Sequence, residues 1–340
     1  MLKKAKINPN PELTLAMTSP DYSDIQAAAD RIAPFARITP LLSSPHLNAL
    51  VSGQIFVKSE PLQITGSFKF RGACNAVQML EDDVKTVVAW SSGNHAQAVA
   101  MAAKMRGLKA IIVMPEDAPT IKKKNTKALG AEVVTYDRYH ESREDIGAGL
   151  AEKHGAAIIP PYDFAPVIAG QGTIGKEIAE QSKALSITPD QVICCTGGGG
   201  LLAGLCLGLH HHWPDLPIYG AEPEGFDDFS RSLEAGERMG NAPDARSLCD
   251  AIVTNMPGEL TFPINQAHVT SGLVVSDDDA LYAMAMAWAH LKVVVEPGGA
   301  VALAAALIGK IETASKTTIV VASGGNVDQP IFEQALKKLS

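Results

Sequence analysis

The sequence predicts an α/β protein whose parallel sheets are covered by helices on both faces. Short runs rich in β-branched residues alternate with helical patterns along most of the chain, which is typical of successive βαβ units. A chain of 340 residues is too long for one ordinary core and indicates about two domains. Its apolar fraction of 46% is sufficient to fill such cores, so general disorder is excluded.

The alternation begins with a helical pattern over Asp24–Arg37, for which Ser23 is a possible N-cap. The β-rich runs that predict strands are Ile55–Lys58, Thr86–Ala89, Ala110–Met114, Glu132–Thr135, Ala157–Ile159, Val192–Cys195, Ile218–Ala221 and Thr318–Ala322. The helical patterns between them include Ala96–Arg106, Ile121–Leu129, Ser142–His154, Ile174–Gln181, Leu201–His211, Asp278–Leu291 and Ala300–Ile308. No linker or internal repeat is visible, so these elements alone do not locate a domain boundary.

Charge and cysteine usage exclude several classes of partner. The net charge is −8, and no basic run is longer than the three lysines at 122–124, so nucleic acid is not expected as a partner. The five cysteines are scattered, without a CxxC pair or a secretory signal, and this suits a reducing cytoplasm. The uncharged run 192–209 reaches transmembrane length, but its glycines favour a buried strand, a loop and a core helix over a membrane segment.

The segment 65–72 reads TGSFKFRG and places Lys69 between two phenylalanines. A desolvated lysine has a lowered pKa because burial disfavours its charged form. An amine that is neutral near pH 7 can form a Schiff base with a carbonyl. Taken alone, however, the segment more often indicates a surface lysine whose stem lies on the aromatic rings.

The stretch SFKFRG at 67–72 resembles the cofactor-lysine motif of fold-type II pyridoxal-phosphate (PLP) enzymes. The similarity extends from about residue 21 to residue 328 and is greatest to serine/threonine dehydratases, serine racemases and 3-hydroxyaspartate dehydratases. The resemblance implies a tryptophan synthase β-like fold, in which two open, twisted parallel-sheet domains hold the cofactor between them. Residues 1–85 and 160–340 would form the large cofactor-binding domain. Residues 86–159 would form the small domain that carries the substrate-carboxylate loop, and the enzyme would be a homodimer.

Four consecutive glycines at 197–200 follow a predicted strand and precede a helix. They allow backbone N–H groups to converge on a phosphate at the helix N-terminus. The same stretch satisfies the dinucleotide pattern G-x-G-x-x-A, and Glu222 follows the next strand where a ribose-binding acid would lie. Taken alone, the two interpretations are equally open. A dehydrogenase leaves the aromatic-flanked Lys69 unexplained, so the phosphate of PLP is favoured.

The segment 91–95, SSGNH, also follows a strand and opens a helix. Hydroxyls, an amide and free N–H groups at a helix N-terminus suit a carboxylate, although a simple N-cap explains the segment equally well. The resemblance implies that Ser91, Asn94 and His95 bind the α-carboxylate of the substrate and that Ser92 faces the cofactor opposite Lys69. Trp90 stands where the family usually has His or Thr.

The acidic segment 222–228 offers two carboxylates six residues apart, and with a backbone carbonyl and water these could bind a hard cation. A solvated acidic loop fits the composition at least as well. The resemblance assigns Glu222, the Phe226 carbonyl and Asp228 to a Mg²⁺ site, with Mn²⁺ or Ca²⁺ as alternatives. The cation would be structural or activating and would lie remote from the bond that breaks.

The resemblance implies further roles for single residues. Ser323 would face the pyridine nitrogen, where a hydroxyl cannot hold a proton as an aspartate would, and Arg143 could grip a second substrate carboxylate bidentately. The cofactor would contact Phe68, Lys69, Asn94, Gly197, Gly198, Gly199, Gly200, Glu296 and Ser323. The substrate would contact Ser91, Ser92, Asn94, His95, Arg143 and Thr254.

The sequence is therefore interpreted as a PLP-dependent ammonia-lyase (dehydratase). It would convert a β-hydroxy-α-amino acid of the threonine, serine or 3-hydroxyaspartate type to a 2-oxo acid and ammonia, with Lys69 removing the Cα proton. Serine racemisation is the first alternative, because Ser92 could reprotonate the opposite face. A nucleotide-dependent oxidoreductase and a PLP-binding protein without turnover are more distant alternatives.

Overall fold

The computed structural model describes residues 18–91, 93–118 and 120–339. The strands are β1 (Leu41–Leu42), β2 (Gln54–Ser59), β3 (Thr86–Trp90), β4 (Lys109–Pro115), β5 (Glu132–Tyr136), β6 (Ala157–Ile158), β7 (Gln191–Cys195), β8 (Ile218–Pro223), β9 (Ser271–Val275) and β10 (Thr317–Ala322). The helices are α1 (Tyr22–Ile32), α2 (Pro45–Val51), α3 (Lys69–Gln78), α4 (Asn94–Arg106), α5 (Thr120–Ala128), α6 (Arg143–His154), α7 (Ala165–Leu185), α8 (Gly200–His210), α9 (Asp228–Ala235), α10 (Thr261–His268), α11 (Asp277–Met286), α12 (Pro297–Leu307) and α13 (Gln329–Leu336). A π-helical turn, Ala287–Leu291, follows α11.

The strands form two sheets, as the family resemblance implies. One has the order β1-β2-β10-β7-β8-β9 and the other the order β5-β4-β3-β6. The pairs within both sheets are parallel except for the short β1, which is antiparallel to β2. Every residue of β7 is buried, which is the pattern of a strand covered on both faces. The predicted α/β class with parallel sheets is confirmed.

The two sheets use the chain differently. The four-stranded sheet lies within residues 86–158, whereas the six-stranded sheet takes strands from both sides of that segment. The apolar core beside the smaller sheet also includes Ile32 of α1 and Phe70 and Val77 of α3, which come from earlier in the chain. The domain boundaries at 85/86 and 159/160 stay a prediction.

The first helix is capped by a different residue from the one predicted. The Asp21 carboxylate accepts hydrogen bonds from the backbone N–H groups of Ser23 and Asp24, and the Asp24 carboxylate accepts one from the Asp21 N–H in return. This capping box makes Asp21 the N-cap and places Ser23 inside the helix.

Helix α7 is longer than the helical pattern that predicts it, Ile174–Gln181. Its first turns contain glycines, which in sequence suggest a loop but here allow close packing between helices. A Cβ atom on Gly170 would lie 2.6 Å from the Cα of Gly72 in α3, and one on Gly172 would lie 2.9 Å from the carbonyl oxygen of Gly204 in α8. Only glycine allows the three backbones to approach this closely.

Strand β10 lies in the interior of the larger sheet, between β2 and β7. Gln54 of β2 is the register partner of Thr317, and Val192 of β7 is the partner of Ile319. The carboxyl ends of these three parallel strands therefore meet at one edge, which is where α/β sheets bind ligands. In the described part of the chain, no helix is both long enough and apolar enough to span a membrane.

Candidate active site

A cavity of about 520 Å³ opens at this edge. The predicted site residues that line it are Phe68, Lys69, Ser91, Asn94, His95, Arg143, Gly197, Gly198, Gly199, Gly200, Thr254 and Glu296. Ser323 is buried at the end of β10, and Ser92 lies outside the described residues. Segments from both sheets thus contribute to one cavity.

Lys69 is the first residue of α3 and points into the cavity. Its Nζ donates a hydrogen bond to the carbonyl oxygen of Pro161 at 2.8 Å and lies 5.2 Å from the centre of the Phe68 ring. Burial lowers the pKa of Lys69 to about 8, although nearby Cys195 and Glu296 oppose the shift. The amine is therefore partly neutral near neutral pH, unlike that of a surface lysine.

The loop after β10 holds the segment that precedes Lys69. Ser67 and Gly324 form an antiparallel bridge, and the Phe68 N–H donates to the Ser323 carbonyl at 3.0 Å. Gly66 has a φ of +72°, and a Cβ there would lie 2.6 Å from the side chain of Asn326. Glycine is required at this turn because its φ is left-handed and the neighbouring loop packs directly against it.

Arg71, two residues after Lys69, belongs to a buried ionic cluster. Its guanidinium contacts both carboxylate oxygens of Glu60, at 2.8 and 2.9 Å, and both oxygens of Glu177, at 2.5 and 2.9 Å. Lys58 also contacts Glu177, at 2.6 Å. The cluster joins the end of β2, the first turn of α3 and the middle of α7, and so fixes the turn of helix that carries Lys69.

Asn94 and Glu296 connect two walls of the cavity. The Asn94 Nδ2 donates to Glu296 Oε1 at 2.6 Å, and the Asn94 Oδ1 accepts from the Nδ2 of Asn326 at 2.7 Å. Burial, with a contribution from Asp250, raises the pKa of Glu296 to about 7. A carboxyl group with a raised pKa therefore lies in the cavity wall.

His95 is a neutral acceptor in the cavity wall. Its Nε2 lies 2.8 Å from the Ile159 carbonyl oxygen, so Nε2 carries the proton, and Nδ1 has no hydrogen-bond partner in the described part of the chain. Burial, and next the charge of Lys69, lower the pKa of His95 to about 3.

No side chain caps α4 at its N-cap residue Gly93, whose N–H donates to Ser91 Oγ at 3.1 Å. Among the described residues, no side chain accepts from the N–H groups that open α4, which suits a ligand there.

Besides Lys69, three Lys or Arg side chains of the described residues lie in the cavity wall, and of these three Arg143 alone is a predicted site residue. Its Nε contacts the neighbouring Glu144 at 2.8 Å, while Arg138 pairs with Asp117 at 2.7 Å and Lys122 pairs with Asp250 at 2.5 Å. Sequence reasoning missed Arg138 and Lys122. Lys122 belongs to a lysine run that reads as a solvated face, and no local pattern indicates its long-range partner.

The unusual Trp90 has a structural explanation. A Cβ on Gly147 of α6 would lie 2.6 Å from the Trp90 ring, so the glycine leaves room for the indole. Trp90 lines the cavity and supports the helix whose first residue is Arg143.

Comparison with known proteins gives one consistent result. A family model described as "Pyridoxal-phosphate dependent enzyme" matches residues 32–324. The chain belongs to this family. It is 43% identical to an L-threo-3-hydroxyaspartate ammonia-lyase of Saccharomyces cerevisiae, over 92% of this chain and 95% of the relative. It is 40% identical to a serine racemase of Schizosaccharomyces pombe, over 91% and 95%. The structure of maize serine racemase superposes with a TM-score of 0.88 at 38% identity, over 95% of this chain and 98% of that one.

Membership of the PLP family confirms the predicted cofactor and fold-type II architecture and removes the oxidoreductase alternative. Glu222 does not face a ribose site. It is fully buried, and its carboxylate accepts hydrogen bonds from the backbone N–H groups of Phe229 and Ser230.

The glycine loop of this PLP enzyme fits a phosphate. Gly199, at a φ of +88°, is the N-cap of α8 and provides no side-chain cap, so no cap from the described residues occupies the first N–H groups of the helix. Cβ atoms on Gly198 and Gly200 would lie 2.5 and 2.9 Å from Tyr162. The loop therefore presents backbone to the cavity in a space that no larger residue could share.

The acidic segment of this PLP enzyme combines buried carboxylates with one free oxygen. Asp228 is buried, its Oδ1 accepts from Asn241 at 2.6 Å, and its Oδ2 has no hydrogen-bond partner among the described residues. Burial raises the pKa of Glu222 to about 8 and that of Asp228 to about 6. Within the described residues, no cluster of three or more His, Cys, Asp or Glu side chains could hold a metal ion. Any cation here would also need carbonyl and water ligands.

Proposed function

We propose that this PLP enzyme is an ammonia-lyase that eliminates water from a 3-hydroxyaspartate-type amino acid. The released enamine tautomerises to an imine, which one water molecule hydrolyses to a 2-oxo acid and ammonia. The observation that carries the proposal is one cavity that holds both the lysine amine and the guanidinium of Arg143. An amine can remove the Cα proton, and a guanidinium can bind the second carboxylate of such a substrate. The 43% identity to a yeast enzyme named for this reaction supports the substrate class.

PLP, when bound, supplies an electron sink for the negative charge that develops at the substrate Cα. Lys69 would hold the cofactor through Nζ, the glycines 197–200 would hold its phosphate, and Ser323 would face its ring nitrogen. Lys69 would also take the Cα proton. Its lowered pKa of about 8 makes the unprotonated amine more accessible for this role than that of an ordinary lysine.

The α-carboxylate would bind at the start of α4. The free N–H groups of that turn, with Ser91 and Asn94, provide donors that suit an anion. His95 is neutral, and its Nδ1 can accept a hydrogen bond from an O–H or N–H group of the substrate. Thr254, whose hydroxyl lacks a partner in the wall, provides a further polar contact.

Arg143→Ala should reduce kcat/KM for 3-hydroxyaspartate much more than for threonine, because only the former carries a second carboxylate. The loss of a charge-assisted bidentate contact corresponds to roughly ten- to a hundredfold in rate. The measurement is release of 2-oxo acid from each substrate by the wild type and the variant.

Arg138→Ala is a matched control. The two arginines line the same cavity, have side chains 45% and 46% exposed, and each contacts one carboxylate. The control should leave the ratio of the two substrates unchanged. If Arg143→Ala lowers activity on both substrates equally, Arg143 does not recognise the second carboxylate and threonine becomes the better substrate assignment.

Serine racemisation is the second candidate, because the relatives at 40% identity include a serine racemase. Inversion at Cα requires an acid on the face opposite Lys69, and Ser92 is the residue proposed for it. Assay of L-serine for both D-serine and pyruvate separates the two reactions within one experiment.

We propose a divalent cation, Mg²⁺ first, at Glu222, Asp228 and the Phe226 carbonyl. The unpartnered Oδ2 of Asp228 supports it, because a buried carboxylate oxygen otherwise loses its solvation without compensation. Chelator should lower the melting temperature of the wild type, and Mg²⁺ should restore it. At a hundredfold excess over Kd, the stabilisation is about 2.7 kcal/mol.

Asp228→Asn should remove this response. A matched control is Asp227→Asn, which changes the adjacent carboxylate that pairs with Arg231 instead. A chelator response that survives in Asp228→Asn would show that the cation binds elsewhere.

We also propose a cytoplasmic homodimer. All five cysteines are buried and unpaired, which suits a reducing compartment, and the dimer rests on the family resemblance. Sedimentation of the purified enzyme tests the oligomeric state.

A further inference from the structure

The glycine loop is held from behind by two side chains of α10. The Thr261 hydroxyl donates to the Gly198 carbonyl oxygen at 2.6 Å, and the Asn265 Nδ2 donates to the Gly199 carbonyl oxygen at 3.1 Å. Both side chains are completely buried. Neither lines the cavity, although the glycines that they hold do.

These contacts help to set the direction of the loop's N–H groups, together with the N–H groups of Gly258 and Ala203, which donate to the Gly198 and Gly199 carbonyl oxygens at 3.4 and 2.9 Å. A trans peptide unit is planar, and its C=O and N–H point in opposite directions. No cis peptide occurs among the described residues. The Gly198 carbonyl shares its peptide unit with the N–H of Gly199, and the Gly199 carbonyl shares one with the N–H of Gly200. When α10 binds the two carbonyls, the two N–H groups are turned away from α10.

Helix α10 is itself anchored to the segment that contacts the catalytic lysine. The Asp163 carboxylate accepts hydrogen bonds from the N–H groups of Glu259, Leu260 and Thr261 at 2.8–3.1 Å. Two residues earlier, the Pro161 carbonyl accepts from Lys69 Nζ. The same short segment therefore sets the position of the lysine and of the helix behind the glycine loop.

We infer that Thr261 and Asn265 are positioning residues that aim the N–H groups of Gly199 and Gly200 at the phosphate of PLP. The inference rests on the proposed cofactor site, in which the glycine loop holds the phosphate. It assigns to α10 a part in cofactor affinity, although α10 does not touch the cavity.

Thr261→Val removes the hydroxyl and keeps the side-chain shape. The test compares the affinities of the full-length chain, freed of cofactor, for PLP and for pyridoxal, which lacks the phosphate. The variant should bind PLP about tenfold more weakly, as expected when one hydrogen bond that orients donors towards a charged group is lost. It should bind pyridoxal as tightly as the wild type does. In the holoenzyme, the ³¹P resonance of the cofactor should shift as well.

Thr313→Val is the matched control, because its buried hydroxyl also donates to a backbone carbonyl, that of Val51, but belongs to the other end of the sheet. It should leave both affinities unchanged, and Thr261→Ser, which keeps the donor, should retain the preference for PLP. If Thr261→Val does not fold, Asn265→Leu carries the same test, with the melting temperature as the check on folding.

The inference is overturned if Thr261→Val, or Asn265→Leu in its place, binds PLP and pyridoxal with equally weakened affinity. It is also overturned if that variant binds PLP as tightly as the wild type does. If the wild type itself binds pyridoxal as tightly as PLP, the proposed phosphate site fails, and the inference fails with it. If the wild type prefers PLP over pyridoxal and the variants show the same preference, the role of α10 is overturned but the phosphate site is not.

Discussion

Lys69→Ala is expected to lower turnover on the order of 10³-fold or more, because it removes both the anchor of the cofactor and the proposed base. The wild type should form a covalent adduct with PLP that borohydride reduces and that peptide mapping locates at Lys69. The variant should form no such adduct. Turnover and adduct are measured on the same preparations, with the melting temperature as a check on folding.

Lys122→Ala provides the control, since Lys122 is a second lysine in the wall of the same cavity. Its loss removes the ion pair with Asp250 but should leave the reducible adduct at Lys69 intact. If borohydride traps an adduct in Lys69→Ala, another lysine binds the cofactor and the assignment of Lys69 is wrong.

Arg71→Met is expected to lower the free energy of unfolding by about 3–5 kcal/mol, because it leaves buried carboxylates without their main partner. Arg71 and Glu60 are fully buried, so water cannot replace the lost contacts. Lys58 compensates only part of the charge of Glu177. Denaturant unfolding of the holoenzyme measures the effect.

An exposed ion pair serves as a control for the effect of burial on the free energy of unfolding. Lys109→Met removes the cation of an ion pair whose two side chains are both 50% exposed, and should cost less than about 1 kcal/mol. Adding Glu60→Leu to Arg71→Met removes one stranded carboxylate and should restore part of the lost stability. A loss below 1 kcal/mol in Arg71→Met would show that the cluster is not a significant source of stability.

The parts of the site that the sequence predicts are those in which the chemistry lies within one local segment. The glycine loop combines a buried strand, a turn and a helix start within a few residues, and its cavity-lining position follows from this order. Lys69 stands out through its aromatic neighbours and lies in the same cavity. Ser91, Asn94 and His95 likewise follow a strand and open a helix.

The features that the sequence does not predict depend on contacts between distant segments. Nothing local pairs Lys122 with Asp250 or Thr261 with Gly198. The sequence does not predict strand β9, because Gly272 interrupts its short apolar run. The strand is stabilised by its parallel pairing with β8. The extent of α7 was missed for a similar reason, since its glycines are explained by the helices beside it.

The central position of β10 has a consequence for biosynthesis. Strand β2 is made early, yet its partner on the inner side, β10, is made only after residue 316. Until then β2 and β7 each lack a neighbour, and unpaired strand edges readily associate with other chains. The pairing also spans most of the sequence, so its closure is slow. A nonsense mutation upstream of Thr317 would therefore yield an aggregating polypeptide instead of a fragment with residual activity, and a nascent chain would need protection from its neighbours on the ribosome.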